Sequence, residues 1–148
     1  MSDYLDHDQL PGPSESSLLR VAYSCHEGLK ILATNFHSQM LVPFGIVAGH
    51  CVEALLKCHL MQNGWTHDRV RRMGHDLEAA WRAGAECGPP ISGDPPQWVE
   101  VLNAGHDKPY MYRYTPHLYG IGTPRTEEVI EPIGPILEAL RKKCEFLI

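Results

Sequence analysis

The chain has 148 residues, the size of one domain with a core of its own. Hydrophobic residues make up 43% and charged residues 21%, an ordinary globular composition. The net charge of −5, from 13 basic and 18 acidic residues, argues against a surface that wraps nucleic acid by phosphate contacts alone, and leaves "DRVRR" at 68–72 as a candidate local basic patch.

Residues 1–14 are acidic and polar, with two prolines and a glycine. They are expected to form a flexible arm that is neither a signal peptide nor a membrane anchor. Residues 15–148 are expected to form a single domain. Leu18, Ala22, Cys25, Leu29, Leu32 and Phe36 recur at steps of three and four, predicting a helix over 15–37, with Ser14, Ser16 and Ser17 as candidate N-caps. Pro43 favours a break at 40–43, and a second helix is expected over 44–62, ending at Asn63-Gly64. The short connection makes the two an antiparallel hairpin. On the second helix Val47, Cys51, Val52, Ala54, Leu55, Leu56, Cys58, Leu60 and Met61 cover nearly the whole circumference, which predicts a buried helix. No apolar run reaches the ~20 residues that span a bilayer, so no membrane association is expected.

"WTHDRVRRM" at 65–73 reads as a short helix or turn, interrupted by Gly74. "HDLEAAWRAGAEC" continues as a helix with Leu77, Ala80, Trp81 and Gly84 on one face, capped by His75 or Asp76. "GPPISGDPP" at 88–96 is loop, "PQWVEVLNAG" at 96–105 a further short helix, and 108–124 an ordered but irregular loop. Trp65, Trp81 and Trp98 read as core or interface. A last helix carries Ile136, Leu137, Leu140, Cys144 and Leu147, and begins or restarts near Pro135 because of Pro132 and Pro135. No strand-like alternation longer than four residues is present. The fold class is all-α, an up-and-down bundle of four main helices plus short ones.

Five cysteines, an odd number scattered along helical segments, read as reduced thiols in a cytoplasmic protein. Cys51 and Cys58 share a helix face but lie about 10 Å apart along the axis, too far for a disulfide. Cys87 has no base in view, and no Gly-rich phosphate loop follows a strand.

Two features point to a polar site. His50, Glu53 and Lys57 form one narrow polar stripe on the otherwise apolar second helix, with Glu53 and Lys57 an i,i+4 pair. Buried charge needs partners, so the stripe is either a solvated seam with an internal ion pair or one wall of a site. The pair Gly-His also occurs three times, at 49–50, 74–75 and 105–106. A metal is not expected: no helix carries His-x-x-x-His or Glu-x-x-His. No cofactor is expected either.

Three stretches carry a family resemblance: "GHCVEALLKCHLMQNG" at 49–64, "MGHDLEAAWRAG" at 73–84 and "YMYRYTP" at 110–116. In this order the chain resembles the HEPN family of helical domains, of prokaryotic nucleotidyltransferase-associated and ribonuclease-toxin type. The second stretch is similar to that family's T-H-D-L segment and the third to its R-Y-P signature. The resemblance implies a binding or interaction module for nucleotide, RNA or a protein partner, in a defence or toxin–antitoxin setting. It also implies a homodimer and a possible nucleotidyltransferase-type partner protein. The binding residues would be His50, Glu53, Lys57, Asp76, Tyr112, Arg113 and Tyr114.

Many HEPN domains are metal-independent endoribonucleases built on Arg-x(4–6)-His, and Arg69 and His75 fit that spacing. In that alternative His75 moves a proton and Arg69 stabilises charge on the phosphate. The family's ribonucleases place a polar residue after the arginine, where this chain has Val70. A purely structural dimerisation domain is the third reading.

Overall fold

The computed structural model describes residues 14–114 and 122–144. Every regular element among them is helical and none is a strand. Helix α1 spans Glu15–Thr34, α2 Leu41–Gln62, α3 His67–Arg72, α4 Leu77–Cys87, α5 Gln97–His106, α6 Met111–Tyr114 and α7 Thr126–Lys143, with a 3₁₀ turn at Ser38–Met40 before α2.

Helix α1 starts at a reciprocal cap, in which the Ser14 side chain accepts from the Ser17 N–H and the Ser17 hydroxyl meets the Ser14 backbone. It ends three residues before the expected 37. Asn35 leaves helical geometry and Phe36 turns its ring edge-on to Phe44, 5.6 Å away. Helix α2 starts earlier than expected. Pro43 lies in its first turn, where an N–H has no intrahelical acceptor and none is missed. The hairpin is antiparallel: Cys58 Sγ donates to the Glu15 carbonyl at one end and Cys51 Sγ to the Ala22 carbonyl further along.

Helix α2 is the hub, packed by α1, α4, α5, α6 and α7. Phe44, Ala48, Cys51, Val52, Leu55, Leu56, Cys58 and Leu60 are all fully buried there. With its preceding turn, α2 has a mean hydropathy of 1.5, long and apolar enough by composition to cross a membrane, contrary to the expectation that no segment reaches that threshold. The average tolerates its few polar residues, and here the helix is sheathed by its neighbours. Most of its apolar surface is thus covered within one chain.

Helix α7 is not broken at its prolines. It runs through Pro132 and Pro135, which correct the expected start near Pro135. Val129 and Ile133 on the first half and Ile136, Leu137 and Leu140 on the second are buried in the same core, and that burial offsets the missing backbone bonds. His26, unremarked in the sequence, is buried on α1 and its Nε2 meets the Ile130 carbonyl at 2.9 Å, joining α1 to α7. Leu147, the arm over 1–13 and the loop over 115–121 lie outside the described residues.

Candidate functional site

Glu53 projects from the middle of α2, a carboxylate only 9% exposed in an apolar helix. Its partners come from two distant segments. Gly74 follows the last turn of α3 with φ +63°, a left-handed conformation that costs glycine little, and swings the chain so that His75 faces α2. His75 Nδ1 then lies 2.6 Å from Glu53 Oε1. His106, the last residue of α5, brings Nε2 to 3.1 Å of the same oxygen, and Lys57 Nζ sits 3.5 Å from Oε2. His106 reaches this position because Gly49 has no side chain: a Cβ there would collide with the His106 ring.

The charges are matched. Burial alone would push the Glu53 carboxyl up. The hydrogen bond from His106, the Lys57 charge and the hydrogen bond and charge of His75 outweigh it and hold the carboxyl at about 2. Glu53 is therefore ionised and accepting, which fixes N–H on His75 Nδ1 and on His106 Nε2. In a neutral His75 the Nε2 lone pair is left for another proton or ligand. His50 rims the same region. Its own burial, with the charges of His106, Arg113 and Lys57, holds its imidazole below the ordinary value against the opposing pull of Glu53.

A pocket of about 340 Å³ opens beside the cluster, between α1, α2, α3 and the Gly74 turn. Leu18, Val21, Ala54 and Val70 form its apolar part, and His50, Lys57, His67, Arg71 and His75 its cationic or basic part, with Glu53 at the inner wall. Tyr110, held at φ +61°, packs edge-on to His75 at 5.5 Å, and Tyr114 packs on Tyr110 at 6.1 Å.

The anticipated site residues divide accordingly. His50, Glu53, Lys57 and His75 are brought together. Asp76 is a helix cap instead: its carboxylate accepts from the Ala79 N–H at 3.1 Å and from Asn103 Nδ2 at 3.1 Å. Asn103 also accepts from the Leu77 N–H at 2.7 Å and donates to Glu78 at 2.9 Å, so it clasps the start of α4 to α5. Tyr112 is buried against Gly45 and Gly105, its hydroxyl donates to the Gly122 carbonyl, and burial pushes that hydroxyl up to about 12. Arg113 and Tyr114 are exposed and off the pocket wall, though the Arg113 charge is felt at His50.

Arg69 is not at the pocket. Its guanidinium lies 3.5 Å over the Trp65 ring on the outer side of α3, and the arginine that lines the pocket is Arg71. Two residues turn a helix by about 200°, so the two arginines face opposite ways. Trp81 and Trp98 pack edge to face at 6.1 Å in or beside the core.

Sequence reasoning passed over His106 and His67, and reached Arg71 only as one member of the basic patch at 68–72. The third Gly-His pair was the available signal for His106, which also sits on the same α5 face as Asn103, three residues before it. Glu53, His75 and His106 together offer one carboxylate oxygen and two imidazole nitrogens within 4.8 Å of one another, a donor set that no single-helix spacing announces. No protein-family model, curated protein or solved structure matches the chain.

Proposed function

We propose that the chain is a HEPN-like helical binding module, whose pocket between α1, α2 and α3 takes the phosphate of a nucleotide or of RNA. The observation that carries this reading is the pocket lining: Arg71 and three imidazoles, with Lys57 paired to the Glu53 carboxylate at the inner wall, surround an apolar recess on a protein whose net charge is −5. Local positive charge against a negative whole suits a small anionic ligand better than a long polyanion. The convergence of the α2 stripe with the Gly74–His75 turn supports the resemblance, as does the packing of Tyr110 on His75. The cytoplasmic setting, a homodimer, a nucleotidyltransferase-type partner and a role in defence or toxin–antitoxin pairing belong to the same reading.

The test is calorimetric titration with adenosine nucleotides and a short single-stranded RNA in the presence of a chelator. Binding is expected, with Arg71→Ala weakening it at least tenfold, about 1.4 kcal/mol, and Arg69→Ala leaving it intact. No binding at millimolar ligand, or an equal loss from both variants, refutes the reading.

The second reading, a metal-independent endoribonuclease, draws on the Glu53–His75 pair at 2.6 Å, in which a carboxylate orients an imidazole for proton transfer. Arg69 points away from this pair, so its part would require a second subunit. RNA cleavage in chelator, lowered about 100-fold or more by His75→Ala in a folded protein, is the outcome that would select it.

A further inference from the structure

Glu53, His75 and His106 belong to three segments, α2, the turn before α4 and the end of α5, yet their donor atoms converge. We propose that this triad holds a divalent first-row transition ion, zinc by preference, through Glu53 Oε1, His75 Nδ1 and His106 Nε2, with a further coordination position open to the pocket. The donor set selects the ion class. Two imidazole nitrogens and one carboxylate oxygen suit zinc and its neighbours, whereas magnesium and calcium take oxygen shells.

The three donor atoms already converge, all within 4.8 Å of one another. With bonds of about 2.0–2.2 Å, neighbouring donors around a tetrahedral ion stand roughly 3.3–3.6 Å apart. Both nitrogens now stand 2.6 and 3.1 Å from the same carboxylate oxygen, so an ion enters as the nitrogens draw back from that oxygen and give up their hydrogen bonds to it. The proton on each ligating nitrogen moves to the ring's other nitrogen or to solvent. Lys57, 3.5 Å from Oε2, keeps Glu53 a one-oxygen ligand. His106 is buried and seated on Gly49, while Glu53 and His75 line the pocket. The ion is thus held from behind and reached from the front, with Lys57 and Arg71 beside the open position. The site shares its pocket with the proposed nucleotide site but does not rest on that reading, whose test is run in chelator.

The experiment uses tag-free full-length protein, stripped with chelator, equilibrated with zinc, desalted and assayed for metal content, and in parallel titrated with cobalt(II) by visible absorption. About one zinc per chain and the intense d–d bands of a four- or five-coordinate cobalt site are expected. His75→Asn and His106→Asn should each weaken cobalt binding more than about 100-fold, beyond the ~10–100-fold that loss of a merely supporting group costs. His75 is half-exposed, so its variant, checked for helical circular dichroism, decides the matter even if the His106 variant unfolds. Zinc far below one per chain, absent cobalt bands, or a folded His75→Asn protein that binds cobalt like wild type would overturn the proposal. The cluster would then be an ion-paired network only.

Discussion

Replacing Glu53 with Gln keeps the side chain's shape and removes its charge. The folded carboxyl is held at about 2 against an ordinary 4.5, a gap of roughly 2.5 pH units. At about 1.36 kcal/mol per unit, that is stabilisation on the order of 3 kcal/mol, with little discount for solvent because the residue is 9% exposed. Because the folded value is depressed, the contribution is complete above about pH 4.5 and fades as pH falls from there toward 2. Urea unfolding at pH 7, in chelator so that no bound ion contributes, should find Glu53→Gln less stable by this amount. At ~2–4 °C per kcal/mol the melting temperature should drop by about 6–12 °C. The gap between wild type and variant should narrow steadily through the acid range. A variant within about 1 kcal/mol of wild type at pH 7, or a gap that widens on acidification, would refute the reasoning.

Asp76→Ala removes both the α4 cap and a bond to Asn103, so thermal melts should show a loss of about 1–2 kcal/mol; an unchanged melt would mean that the cap contributes nothing. Gly49→Ala places a methyl group where the His106 ring lies, and a loss of about 1–3 kcal/mol with shifted His106 imidazole resonances is expected; unperturbed resonances would contradict the close approach.

The elements that periodicity and end signals define were readable from the chain. The apolar circumference of α2 foretold its burial, Asn63-Gly64 its end, and Ser14 the start of α1. Glu53, as the acid of a polar stripe in an apolar helix, raised the question of partners from elsewhere but left an internal ion pair with Lys57 as an equal answer. Which partners came could not be read, because that depends on how α5 lies against α2, and His106 is 53 residues away. Local spacing failed for the same reason at Arg69: the count to His75 fits a motif, but the facing of a short helix decides which arginine enters the pocket. At α7 the local rule against internal proline was sound and was overridden by burial that only the assembled core supplies.

The Asn103 clasp bears on how the cluster is held. Asn103 binds the first residue of α4 and the cap before it, so one side chain ties the start of α4 to α5. His75 stands just ahead of the clasp in sequence, and His106 one turn beyond it on α5. The two imidazoles that meet Glu53, 31 residues apart in the chain, are thereby held in register with each other by a contact that touches neither of them. Loss of the Asn103 side chain would loosen both ends of that register at once.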